Sequence, residues 1–219
     1  MKLKFREEFI PLLIIMAAII AGLVAYPSLP TQVASHWNFQ GAVDGWNSKN
    51  FSVFFFPILL IIMYALFLFL PLIDPKKQNY GKFSDTYNWF KISIIFCLFV
   101  IYAATIAYNL GLNIDISLTT SAVIGLMMIV IGSLLSRIKE NWFIGIRTPW
   151  TLSSPIVWEK THKVGGKLFV IFGLTIILAP YIAWPYGVIL FMVGALTAIL
   201  GTIVYSYVAY RHEQKTKQS

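Results

Sequence analysis

A chain of 219 residues that is 58% hydrophobic and only 12% charged carries about half the charged fraction of a soluble domain, for which about 25% is usual. A water-soluble fold of this composition would expose more apolar surface than solubility allows, so the chain belongs in a membrane. Its formal net charge of +8 is read as basic residues flanking membrane spans and facing anionic lipid, not as a surface for nucleic acid. The lone cysteine, Cys97, excludes an internal disulfide and is expected to be a small buried hydrophobe.

Taken in order, six apolar segments reach the length of about 20 residues that a helix needs to cross about 30 Å of hydrocarbon. They are Phe9–Tyr26, Phe51–Ile73, Ile92–Leu112, Ile116–Leu135, Leu168–Ala183 and Pro185–Tyr210. The first follows Lys2, Lys4 and Arg6, but no A-x-A-like cleavage site ends it, so it reads as a retained span and not a signal peptide. Pro57 and Pro71 are expected to bend or end the second helix. Ala18 and Gly22, Ala103 and Ala107, Gly125 and Gly132, and Gly194 and Gly201 are small residues placed to let helix backbones approach. The fold class is therefore all-α, a polytopic membrane protein of six transmembrane helices. Its expected organisation is a two-helix unit over 1–90 and a four-helix unit over 91–219.

Sixteen of the 17 Lys and Arg lie in four segments: the N-terminal tail, Asp74–Lys91, Arg137–Lys167 and the C-terminal tail. Lys49 alone falls on the other side. The positive-inside rule makes the four segments cytoplasmic, with both termini inside and the 27–50 loop outside. No segment so drawn contains Asp, Glu, Lys, Arg or His, which weighs against an ion-coupled carrier, since such pathways are marked by intramembrane ionisable groups. A transporter built on these helices would rely on Asn109, tyrosines and hydroxyls. No internal repeat of the transporter type is found.

Two stretches outside the spans carry content. Residues 27–50 hold two prolines and two glycines, which predict a structured, turn-rich loop. His36, Trp37, Asn38, Gly41, Asp44 and Trp46 are its candidate binding residues, although an aromatic anchor at the membrane boundary explains the same tryptophans. The second stretch, 137–167, crowds Glu140, Arg147, Glu159, Lys160, His162 and Lys163 among Trp142, Trp150 and Trp158. Arg147 needs a partner, for which Glu140, Glu159 and the Trp150 face come first, ahead of backbone carbonyls or a lipid phosphate. Thr148 precedes Pro149 and is pushed out of the helical region. Ser153 or Ser154 is the expected cap of a helix with Pro155 in its first turn, carrying Trp158, Thr161 and His162 into the fifth span.

Glu140, Glu159 and His162 are residue types that bind zinc, but there is no H-E-x-x-H pattern and His36 lies across the membrane from His162. No G-x-S-x-G or phosphate-cradling loop is present either. No enzyme activity, metal or cofactor is expected.

The run Asn141-x-x-Ile144-Gly145-Ile146-Arg147-Thr148-Pro149-Trp150-Thr151-Leu152, followed by Val157-Trp158 and Thr161-His162, resembles the SdpI family of bacterial membrane proteins. The outer loop, with Leu29-Pro30, Val33, His36-Trp37-Asn38, Gly41, Asp44-Gly45-Trp46 and Lys49, resembles a domain of unknown function that accompanies it. The resemblance implies a non-enzymatic, multi-pass protein of the bacterial cell membrane giving immunity to a secreted killing peptide. It also implies a receptor role in which a cytoplasmic transcriptional repressor is drawn to the membrane. Glu140, Asn141, Gly145, Arg147, Thr148, Pro149, Trp150, Trp158, Glu159, Thr161 and His162 then form the candidate partner motif, and the outer loop the candidate peptide site. The partners expected are membrane lipid, a toxin peptide and a repressor, with no direct contact to nucleic acid; the oligomeric state stays open. The rival reading is a transporter or lipid-handling protein with no toxin role.

Overall fold

A computed structural model describes residues 5–218; the basic residues Lys2 and Lys4 lie outside the described residues. The elements run α1 (Phe5–Ala25), β1 (Gln32–Trp37), β2 (Val43–Ser48), α2 (Lys49–Ile73), α3 (Ser84–Asn109), α4 (Ile116–Leu135), α5 (Pro149–Ser153), α6 (Pro155–Leu178) and α7 (Tyr186–Gln218). Six of the helices, all but α5, are long and apolar enough to cross a membrane. The chain is a multi-pass membrane protein. Outward-facing Leu23, Ile58, Leu66, Leu196 and Ile199 remain exposed, as a lipid-facing surface requires.

Helix ends differ from the apolar runs for a physical reason. Backbone hydrogen bonding does not stop where side chains become polar, so α3 begins at Ser84 and α6 at Pro155, well before their apolar stretches. Ser154 caps α6 by accepting from Val157 N at 3.3 Å, with Pro155 opening the first turn. The earlier start also brings a charge inside. The segments drawn from hydropathy held none, but Lys91 of α3 meets Glu8 of α1 at 2.6 Å, both buried.

The 27–50 loop is more ordered than a turn-rich connection. Residues 32–37 and 43–48 pair as an antiparallel hairpin in the register Gln32↔Ser48, Ala34↔Trp46, His36↔Gly45 and Trp37↔Val43, with irregularities either side of His36. Asn38 closes the turn, its Oδ1 accepting from Gln40 N and Ala42 N at 3.0 Å each. Gly41 follows with φ +78°, a left-handed conformation open to glycine.

The chain forms two compact units. One comprises Lys2–Leu68 with Lys91–Ile124, and its core gathers Ala18, Val33, Val53, Leu60, Ile95 and Tyr102. The other comprises Phe69–Phe90 with Gly125–Ser219. Here α6 runs along α7 and lies so close to α4 that a Cβ on Gly132 would sit 2.6 Å from Gly166 O, and one on Gly125 2.6 Å from Gly173 O. This is the close backbone approach that small residues permit between helices in lipid.

Candidate functional site

The 137–167 stretch is built from Asn141 outward. Its side chain is fully buried and all four hydrogen bonds an amide can make are filled. Oδ1 accepts from Phe143 N at 2.9 Å and Ile144 N at 2.6 Å, while Nδ2 donates to Lys139 O at 3.0 Å and Ile144 O at 2.9 Å. One side chain thus satisfies the backbone of the whole turn. Gly145 comes next with φ +110°, and a Cβ there would lie 2.4 Å from His162 Nε2. Only glycine fits that position.

The absent side chain lets the backbone rest on His162. Ile146 N donates to Nε2 at 3.0 Å, and the Trp158 carbonyl is 2.8 Å from Nδ1. A carbonyl only accepts and an N–H only donates, so the proton is assigned to Nδ1. Trp158 stacks on the imidazole at 4.1 Å between ring centres and donates its indole N–H to Ile138 O at 2.9 Å. His162 therefore holds the loop to α6 with both nitrogens used, and neither is free to ligate a metal.

Thr148 adopts the extended conformation expected before Pro149 and caps α5. Thr151 N donates to Thr148 Oγ1 at 3.2 Å and Thr148 N to Thr151 Oγ1 at 2.9 Å, a reciprocal capping box. Thr148 Oγ1 also donates to Ser206 Oγ of α7 at 3.0 Å, and Trp150 packs on Tyr207 at 5.1 Å. Ser154 donates to Glu213 Oε2 at 2.5 Å. The loop is stitched to α6 on one side and α7 on the other. Thr161 is fully buried, and its hydroxyl has no hydrogen-bond partner among the described residues.

Arg147 departs from expectation. Its Nη1 donates to the Trp142 carbonyl at 2.8 Å, whereas Glu140 pairs with Lys76 Nζ at 2.6 Å, Glu159 is exposed and Trp150 faces Tyr207. The carboxylates are used or turned to water, and a backbone carbonyl takes the guanidinium. Glu140, Glu159 and His162 do not converge: among the described residues no group of three or more His, Cys, Asp or Glu is placed to hold a metal.

Sequence reasoning missed Asp74. It is buried; Oδ1 accepts from Lys76 N at 2.7 Å, and Oδ2 accepts from the Tyr80 hydroxyl and from Trp142 N, each at 2.9 Å. Asn79 Nδ2 adds a bond to Glu140 O at 2.9 Å. Residues 74–83 and the motif are therefore one polar assembly. Burial, then the adjoining Asp74 carboxylate, push the Tyr80 hydroxyl well above tyrosine's usual pKa, so it stays a donor. The available signal was an Asp and a Pro at the end of an apolar helix, which marks a cap and not a partner 68 residues away in sequence.

In the hairpin, His36 Nδ1 and Asp44 Oδ1 lie 2.5 Å apart, with the imidazole largely exposed. Trp37 is edge-on to Tyr108 at 5.3 Å, and its buried indole N–H has no partner among the described residues. Trp46 is 57% exposed and Phe39 68% exposed. Asn109, weighed above as part of a transport path, instead binds the Ala34 peptide, donating from Nδ2 to Ala34 O at 3.0 Å and accepting Ala34 N at 2.8 Å.

Residues 137–206 match the SdpI/YfhL protein family. The chain carries an SdpI-family segment. That segment contains the Asn141–Gly145–His162 assembly and its anchor at Ser206, while residues 13–61, which include the hairpin, match a domain of unknown function, DUF1648. The chain is also similar to the Immunity protein SdpI of Bacillus subtilis (strain 168), 24% identical over 208 residues that cover 94% of this chain and 97% of that protein. No solved structure matches.

Proposed function

We propose that this is a membrane immunity protein that protects its cell from a secreted, membrane-active killing peptide. The observation that carries the reading is the end-to-end similarity to Immunity protein SdpI, which spans both the hairpin and the motif. The distribution of basic residues supports an orientation with the termini and the 137–167 stretch in the cytoplasm and the hairpin outside, where a secreted peptide arrives. The hairpin, with Trp46 and Phe39 exposed beside the His36–Asp44 pair, is the peptide-contacting surface. Exposed Trp142 and Arg147 present the motif to a cytoplasmic partner, for which a transcriptional repressor is the proposal. The role is one of binding, not catalysis.

The test is to express the chain in a toxin-sensitive bacterium and measure survival against a panel of secreted killing peptides. Protection against at least one, lost with the empty vector, supports the reading. Unchanged survival across the panel with normal protein levels in the membrane sinks it.

A further inference from the structure

Within the unit formed by Lys2–Leu68 and Lys91–Ile124, the Lys91–Asn109 stretch of α3 is fastened at both of its ends and keyed between them. At the hairpin end, the Asn109 carboxamide pairs with the Ala34 peptide as a neighbouring strand would, with bonds of 2.8 and 3.0 Å, and Tyr108 meets Trp37 edge-on. Part-way along, the Tyr102 hydroxyl donates to Val53 O of α2 at 3.0 Å. It fits against α1 only because residue 22 is glycine: a Cβ there would lie 2.3 Å from that hydroxyl. At the opposite end, Lys91 Nζ meets Glu8 Oε2 at 2.6 Å, with the two side chains 4% and 8% exposed. The Tyr64 ring lies 5.8 Å from the ammonium.

A buried ion pair adds little net stability, because desolvating two charges offsets their attraction, yet opening it strands a charge at high cost. Such a contact has two states, closed or open, and does not stretch by degrees. Ionisable groups inside helices of a membrane protein are expensive enough to mark function by default. The spacing adds to this. From Lys91 to Asn109 a helix rising 1.5 Å per residue covers about 27 Å, close to the ~30 Å depth of the hydrocarbon. A stiff helix of that length cannot shift or turn at its hairpin end without acting on Lys91.

We propose that α3 is a strut coupling the hairpin to a two-state Glu8–Lys91 latch at the opposite end of the same unit. Asn109 is the positioning residue at the hairpin end, and Glu8 with Lys91 form the element that switches. The coupling is independent of what the hairpin binds; if the hairpin takes a peptide as proposed above, the latch is what that peptide acts on.

The test needs no ligand, so its failure is separate from failure of the immunity reading. Hydrogen exchange is measured on the full chain in lipid nanodiscs for the wild type, Glu8→Gln, Lys91→Met and the charge swap Glu8→Lys with Lys91→Glu. Each single variant is expected to raise amide exchange in β1 and β2 about tenfold, within the range of coupling between distant sites. The swap is expected to restore most of the protection. Hairpin exchange unchanged in both single variants overturns the strut. So does an equal rise in the motif segment 141–162, which would assign the pair to folding of the whole chain.

Discussion

The hairpin and the motif segment are both polar and aromatic interruptions of a hydrophobic chain, but they use their side chains in opposite ways. In the motif, Asn141, Gly145, Thr148, Thr151, Trp158 and His162 are turned inward onto the loop's own backbone and onto α6 and α7. In the hairpin, His36, Phe39, Asp44 and Trp46 face outward, and the buried links run through Trp37 and the Asn109–Ala34 pairing. Most motif residues thus build a rigid platform from which few groups, Trp142 and Arg147 among them, reach outward. The hairpin presents most of its distinctive residues to the surroundings. A diagnostic sequence run is therefore no guide to which residues meet a partner.

Variants can break this contrast, beginning where the effect is largest. Gly145→Ala introduces a Cβ 2.4 Å from His162 Nε2 at φ +110°. Strain together with loss of the Ile146–His162 bond is expected to cost about 3 kcal/mol, read as a fall in thermal stability in detergent. Asn141→Ala leaves the part-buried amide of Phe143 and the buried amide of Ile144 without an acceptor, at about 2 kcal/mol. Raised hydrogen exchange confined to residues 139–146 is its check. Asp74→Ala removes the acceptor shared by Lys76, Tyr80 and Trp142 and is expected to be of similar size, about 1–3 kcal/mol. It should loosen the 139–144 turn from a distant point in the sequence, and unaltered exchange there would contradict the single-assembly view. At the small end, Trp46→Ala changes stability by no more than about 0.5 kcal/mol, as for an exposed site, measured by the same thermal unfolding.

Much of this was legible in advance. Six membrane helices followed from apolar run length, and the cap expected at Ser153 or Ser154 with Pro155 in the first turn lies at the start of α6, at Ser154, because capping chemistry is local. Thr148 is extended before Pro149 as expected, but the short helix α5 that it caps was not foreseen. What was hidden is what depends on distant pairing. Asp74 meets Trp142 across 68 positions, and nothing in the local pattern near Asp74 indicates it. The hairpin was read as a loop because neither six-residue strand, QVASHW or VDGWNS, alternates polar and apolar residues, so no strand period stands out from the turn residues around it. For Arg147, Glu140, Glu159 and the Trp150 face were placed ahead of a backbone carbonyl, yet Lys76, from a separate stretch, already takes Glu140. Helix extension beyond the apolar runs concealed the Glu8–Lys91 pair, since hydropathy marks where lipid ends and not where a helix does.

The most direct test compares the two regions in one survival assay. Wild type and Trp46→Ala are expressed to equal membrane levels in a bacterium sensitive to a killing peptide against which the wild type protects. The account predicts that Trp46→Ala accumulates and melts like the wild type yet loses protection by about tenfold, as removal of an exposed aromatic contact residue would produce. Full protection by a normally folded Trp46→Ala protein would contradict the assignment of the hairpin as the contact surface.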